Sequence, residues 1–214
     1  MKTTWPSAPP PKRKAPILVV FLFAFILLVL YPNPYLLGVS ISRIFQPRVN
    51  PEVVAPLLAE APQDPAALEA YVLRKIPYQY DWVTYGVPFY FPRAEEVLSQ
   101  GTGDCKSRFV ILASLFETLD IPYRQSFSLS HFWIIYEGKE ETAYEQEANS
   151  FLLRDEDGTR LQVPREDARQ IFDTLREGFW DVMPNHKKAL LLASLPIAMF
   201  LGWLMEKTRP PLPH

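Results

Sequence analysis

The sequence predicts an α+β domain that lies between two membrane-spanning helices. Two long uncharged apolar segments, one near each end of the chain, predict the spans. Between them, segments with helical periodicity are followed by short strand-like segments, which predicts helices and then a sheet. A chain of 214 residues is long enough for one such domain and these extra segments.

The first apolar segment carries no charged residue from Ala15 to Ser42. Because about 20 residues cross a bilayer, we predict a transmembrane helix over residues 16–41. A cleavable signal peptide is the alternative, since a basic triplet precedes the apolar run and small residues follow it. Residues 1–15, which are rich in proline and end in basic residues, are predicted to be a disordered tail.

The second apolar segment carries no charged residue from Ala189 to Met205. This length is at the lower limit of about 17 residues for a span, so a buried core helix is the alternative. Charged residues on both sides favour a transmembrane helix over residues 189–205, followed by a tail over 206–214. Basic residues are more numerous near the termini than beside the central region. This bias predicts a two-pass protein with cytoplasmic termini and an extracytoplasmic domain, periplasmic or lumenal.

The region between the spans begins with a linker over residues 47–63, rich in proline and alanine, and continues as a domain over 64–180. Apolar periodicity, an N-cap and proline terminators predict its helices. The predicted helices are 64–76, 93–98, 105–119 and 165–175. The predicted strands are 123–129, 131–136 and 141–147, with a fourth beginning at 151–153.

Composition excludes several classes of function. A net charge of −2 gives no electrostatic reason to expect a nucleic-acid partner. The three histidines have no metal-ligand spacing, and the acidic residues near 155–157 lack the pattern of a calcium loop, so no metal or cofactor is predicted. A single cysteine allows no intramolecular disulfide, which leaves a free thiol.

That thiol, Cys105, follows the sequence Gly-Thr-Gly-Asp and directly precedes the strongest predicted helix. The start of a helix favours negative charge and therefore a thiolate. His131 follows in a strand-like segment, and then two carboxylates, Glu145 and Glu147. This is the order of a thiol nucleophile, its base and a residue that orients the base. The alternatives are a cysteine and a histidine that merely pack in the core.

The succession of these motifs resembles the transglutaminase-like superfamily of papain-type thiol enzymes. The segments that carry the resemblance are the leading helix at 67–78, the nucleophile segment at 94–105, the core helix and its exit at 109–124, and the histidine strand at 130–133. The similarity covers roughly residues 64–149 and neither apolar segment. It implies a papain-like fold in which Cys105 is the nucleophile and His131 the base of a catalytic triad.

The third member of the triad departs from the family's aspartate, because no aspartate lies between His131 and Asp155. If strands 131–136 and 141–147 form a hairpin with a three-residue loop, Glu145 and Glu147 lie on the same face as His131. In the family the carboxylate lies diagonal to the histidine, which favours Glu145. Glu147 stays open as the alternative.

The resemblance implies a membrane-anchored cysteine hydrolase that acts on a protein or peptide substrate, at peptide or isopeptide amides, through a thioester. An acyl transferase has the same residues. The alternative is a catalytically degenerate module that binds a protein or glycan partner at the membrane. A domain that only spaces two membrane helices would not need the turn before Cys105.

Overall fold

The computed structural model describes residues 14–155, 158–165 and 167–207. The predicted tails over 1–15 and 206–214 lie almost wholly outside these residues. The α-helices are α1 Lys14–Leu30, α2 Tyr35–Phe45, α3 Pro51–Val54, α4 Pro65–Lys75, α5 Asp81–Thr84, α6 Ala94–Gln100, α7 Cys105–Thr118, α8 Ala168–Leu175 and α9 Asn185–Lys207. Shorter helical turns are 3₁₀ at Ala55–Ala59 and Glu147–Asn149 and π-helical at Arg176–Asp181. The strands are β1 Arg124–Phe127, β2 Phe132–Ile135, β3 Leu152–Asp155 and β4 Gly158–Leu161.

The chain forms two compact units, one from its two ends and one from Pro34–Pro184. In the first unit, α1 packs against α9, and a Cβ atom on Gly202 would lie only 3.0 Å from Leu18. Residues Asn185–Leu204 are long and apolar enough to span a bilayer, whereas α1 and α2 meet the same criterion only as one broken span. One or two helices are therefore apolar enough to cross a membrane.

The single helix predicted over residues 16–41 is two helices in the structure. α1 ends at Leu30, and Pro32 and Pro34 lie in the break before α2. Proline lacks the N–H that a helix interior needs, which accounts for the break. α2 belongs to the central unit, where Arg43 is 6% exposed and donates to the carbonyl oxygen of Phe91 at 2.7 Å.

The segment predicted as a linker, 47–63, also belongs to the central unit. It contains α3 and the 3₁₀ turn Ala55–Ala59. Asn50 caps α3 by accepting from the N–H of Glu52, and Val54 is fully buried in the core. The proline-rich composition thus reflects short helices, each of which begins near a proline.

The central unit combines helices with a four-stranded antiparallel sheet of order β2-β1-β3-β4, which agrees with the predicted α+β class. α7 is the helix around which the core forms, since ten of its fourteen residues are buried. It packs against β2, where the rings of Phe109, Phe91 and Phe132 contact one another. The sheet therefore presents the start of β2 to the start of α7.

The prediction of a strand over residues 141–147 is wrong. In the structure β2 pairs with β1, with Ser126 opposite Trp133, and β1 then pairs with β3. Residues 141–146 form a polar loop in which the N–H of Glu145 donates to Thr142. This segment has few of the β-branched and apolar residues that a strand needs. It does not pair with β2, and the apolar Leu152 and Leu153 of β3 pair with β1.

Candidate active site

Cys105 is the first residue of α7, and the residues before it form a capped turn. The carboxylate of Asp104 accepts from the backbone N–H groups of Lys106 and Ser107, at 3.0 and 3.4 Å, which is the geometry of an N-cap. Within the described residues the N–H of Cys105 donates to no protein acceptor. The thiol is partly exposed and lies at the positive end of the helix dipole.

Gly103 fixes the position of this turn. Its N–H donates to the carbonyl oxygen of Pro77 at 3.1 Å, and its own carbonyl oxygen accepts from the N–H of Gln79 at 3.0 Å. A Cβ atom at this position would overlap the side chain of Ser107. The helix start that carries Cys105 is therefore tied to the segment that follows α4, and only glycine fits there.

His131 lies directly before β2, in a tight turn that follows β1. The hydroxyl of Ser128 accepts from the N–H of His131 at 3.0 Å, and the N–H of Ser128 donates to the carbonyl oxygen of His131 at 2.9 Å. The imidazole stacks on the ring of Trp133. The backbone and the ring of His131 are thus both fixed.

The imidazole contacts one of the other two predicted site residues and lies near the second. Its Nε2 atom lies 3.0 Å from Oε1 of Glu145, and the nearby thiol of Cys105 raises the pKa of the imidazole. Because Nε2 faces Glu145, Nδ1 is the nitrogen left to face the thiol. Cys105, His131 and Glu145 line one small cavity of about 130 Å³. The structure therefore brings all three together, although Glu145 reaches His131 from a loop and not from the strand that the sequence predicted.

Glu147, the alternative third residue, lies elsewhere. Its carboxylate pairs with the guanidinium of Arg124 at 2.8 Å, and both side chains are about two-fifths exposed. This pairing lowers the pKa of Glu147 through the hydrogen bond from Arg124. Glu147 thus belongs to an ion pair at the surface, with Arg124.

Three residues that the sequence did not indicate hold Glu145 in place: Lys139, Glu69 and Tyr136. The second carboxylate oxygen of Glu145 accepts from Lys139 Nζ at 3.0 Å, and Lys139 also pairs with Glu69. The hydroxyl of Tyr136 donates to Glu69 at 2.6 Å. Lys139 follows a glycine in a turn and so resembles a solvated lysine in the sequence, but its side chain is 7% exposed.

The charges of this cluster support one another. Burial alone would lower the pKa of His131, but its interactions with Cys105 and Glu145 raise it to about 10. Burial would raise the pKa of Glu145, but His131 and Lys139 hold it below its usual value. The cluster therefore favours the imidazolium form of His131 at neutral pH.

A buried ionic group lies next to Cys105 along the chain. Lys106 is 4% exposed and pairs with both Asp104 and Asp81, the latter at 2.9 Å. Burial raises the pKa of Asp81, against the charge of Lys106. Burial would lower the pKa of Lys106, but the two carboxylates keep it well above its usual value. Two buried carboxylates therefore compensate the charge of Lys106.

A wider cleft of about 790 Å³ opens on the same side, with His131 and Glu145 in its wall. Its lining is aromatic and polar and includes Tyr78, Tyr80 and Tyr144. Among the described residues no group of three or more histidine, cysteine, aspartate or glutamate side chains could hold a metal ion. His131 and Glu145 line both this cleft and the small cavity that contains Cys105.

Comparison of the chain with protein-family models, with curated proteins and with solved structures finds no match.

Proposed function

We propose that the chain is a membrane-anchored cysteine hydrolase of the transglutaminase-like type, which cleaves peptide or isopeptide amide bonds through a thioester. One observation carries the proposal: the imidazole of His131 is hydrogen-bonded to Glu145 and lines one small cavity with Cys105, which lies at the start of α7. A thiol, a base and a carboxylate in this relation form the arrangement that activates a cysteine nucleophile.

In the acylation step the thiolate sulfur of Cys105 attacks the carbonyl carbon of the amide, and a C–S bond forms. His131, as the imidazolium, gives a proton to the leaving amine as the C–N bond breaks, which leaves a thioester. Water then attacks the thioester while His131 takes a proton from it. The C–S bond breaks, a carboxylic acid leaves, and the thiol is restored. A primary amine in place of water would give transfer.

Two further features of the site support this chemistry. The N–H of Cys105, which lacks an acceptor among the described residues, is available to the oxyanion that forms on the carbonyl oxygen. Glu145 stays ionised beside His131, because Lys139 and His131 both favour its charged form. It would fix the ring orientation and stabilise the imidazolium without taking its proton.

We further propose that the protein crosses the membrane twice and that the central unit faces the periplasm or a lumen. One or two helices are apolar enough for this, and basic residues near the termini favour cytoplasmic ends. The substrates would then be proteins or peptides outside the cytoplasm.

A catalytically degenerate binding module is the second candidate, and one observation favours it. Glu145 divides its carboxylate between His131 and Lys139, both at 3.0 Å. A carboxylate that also serves a lysine stabilises an imidazolium less than one that serves the histidine alone.

Acetylation by p-nitrophenyl acetate distinguishes the two candidates. We expect a stoichiometric burst of p-nitrophenol from the full-length protein, an acetyl adduct on Cys105 in mass spectrometry, and slow loss of the adduct in water. Cys105→Ala should give neither burst nor adduct. A wild-type protein with no burst above that of Cys105→Ala would contradict the proposed enzyme. Faster loss of the adduct when a primary amine is added would identify a transferase.

A further inference from the structure

We propose that the central unit carries a binding site for the phosphate headgroup of an anionic phospholipid, formed by α2, by Arg48 and by Arg93. The site is a cleft of about 470 Å³ whose lining is mostly polar. Its described lining residues are Tyr35, Val39, Ser42, Arg43, Arg48, Val49, Asn50, Arg93 and Glu95. The inference rests on the membrane anchoring in the proposed function and is independent of the chemistry at Cys105.

The charges in the cleft favour an anion. Three arginines line it against one carboxylate, that of Glu95, which already accepts from Asn50 at 2.6 Å. Arg43 is used internally, because it donates to Phe91 and pairs with Glu96. Arg48 is exposed and has no ion-pair partner within the described part of the chain.

Arg93 is the second available guanidinium. Its nearest carboxylate is that of Glu96, at the long distance of 3.9 Å, and more than half of its side chain is exposed. Arg48 and Arg93 therefore present two guanidiniums with little internal compensation. Guanidinium groups bind phosphate oxygens in a paired geometry, which makes a phosphate the ligand best matched to this cleft.

The outer face of α2 indicates that this phosphate belongs to a lipid. Ile41 and Phe45 are 48% and 49% exposed, and their spacing of four residues places them on one face, whereas Ser40 and Arg43 are buried on another. Tyr35, in the first turn beside the cleft, is 73% exposed. An exposed apolar and aromatic face beside a basic cleft is typical of a helix that lies in the headgroup layer.

The length of the connection to α1 supports the same partner. Only Tyr31–Pro34 separate the end of α1 from the start of α2. A fully extended chain of this length spans at most about 18 Å, so α2 begins close to the surface of any bilayer in which α1 lies. The cleft, which opens beside Tyr35 at the first turn of α2, would then meet the lipid phosphates.

The test uses the full-length protein in neutral detergent micelles and measures its Tm by tryptophan fluorescence. Addition of phosphatidylglycerol at tenfold its dissociation constant should raise the Tm by about 3–5 °C, and the same amount of phosphatidylcholine should raise it much less. Arg48→Gln/Arg93→Gln should abolish the difference between the two lipids. The matched control, Arg74→Gln/Arg165→Gln, removes two exposed arginines of the same unit outside the cleft and should keep the difference.

Three results would overturn the inference. If Arg48→Gln/Arg93→Gln keeps the full response to phosphatidylglycerol, the cleft is not the binding site. If inorganic phosphate or glycerol phosphate at the same concentration gives the same rise in Tm, the ligand is a soluble anion and not a lipid. If the wild-type protein shows no difference between phosphatidylglycerol and phosphatidylcholine but a normal acetylation burst, this site is refuted and the proposed enzyme is left intact.

Discussion

At the scale of single residues, the site depends on one imidazole that serves two partners. His131 bonds to Glu145 through Nε2, and this contact together with the nearby thiol of Cys105 raises the pKa of the imidazole to about 10. The usual value is about 6.5, so the contacts stabilise the folded protein fully below about pH 6.5. The contribution is lost as the pH rises toward 10, where the imidazolium loses its proton.

Glu145→Gln tests the role of the carboxylate. The amide keeps the size of the side chain but removes its charge, so the pKa of His131 should fall toward 6.5. We expect the acetylation rate at pH 7 to fall by about 100-fold. The high-pH limb of the rate should move to lower pH, and the loss of stability between pH 6.5 and 10 should become smaller. Stopped-flow release of p-nitrophenol and denaturant unfolding measure the two effects.

Glu147→Gln is the matched control, because it removes the same charge two residues away from a surface pair with Arg124. Its acetylation rate and pH profile should equal those of the wild type. A loss of rate in Glu147→Gln with an unchanged Glu145→Gln would mean that the wrong carboxylate has been assigned.

Sequence patterns singled out Cys105, His131 and Glu145, which lie together in the structure, but not the residues that hold Glu145 in place. Cys105 and His131 are marked by the glycine turn and by the aromatic strand-like segment. Glu145 was predicted from a strand register that does not exist. It contacts His131 from a loop in which its N–H donates to Thr142 and its carboxylate pairs with Lys139. Lys139 and Glu69 are 70 residues apart in the chain and carry no local signal of their contact.

At the scale of elements, the turn that precedes α7 is the feature that tolerates the fewest substitutions. Asp104 caps α7, and Gly103 packs against Ser107 so closely that no side chain fits. The periodicity of apolar residues predicted α4, α6 and α7 to within a few residues, because each buries one face or more in the core. The N-cap Asp104 and Gly103 could also be recognised in the sequence, because both contact residues within four positions of themselves.

Gly103→Ala tests this packing. The added methyl group would overlap Ser107, so we expect the free energy of unfolding to fall by about 1–3 kcal/mol. The acetylation rate should fall as well, because the start of α7 must shift. Gly38→Ala is the control, since a Cβ atom at Gly38 meets no other atom within 4 Å and the residue lies in α2. Equal unfolding free energies for the two variants would contradict the account of this turn.

The sheet shows where local patterns fail. β2 pairs with β1 on one side, and the strand expected beside it at 141–147 is a loop. Short strands are selected by their partners across the sheet, which a local pattern does not contain. The same limit applies to β4, which was not predicted and whose four residues are all exposed.

At the scale of the whole molecule, the boundary between the units differs from the boundary between apolar and polar sequence. The uncharged segment from Ala15 to Ser42 continues through α2, but the central unit begins at Pro34. Hydropathy could not divide this segment, because the bonds of Ser40 and Arg43 to Phe91 are contacts over about 50 residues. The break is marked in the sequence only by Pro32 and Pro34.

The proposed chemistry requires that His131 activates the thiol of Cys105. Alkylation by iodoacetamide at pH 6, followed by mass spectrometry of the full-length protein, measures this most directly. A free cysteine is almost wholly protonated at that pH, so the wild type should react at least about tenfold faster than His131→Gln and than a cysteine-containing peptide. Equal rates for the three would contradict the account.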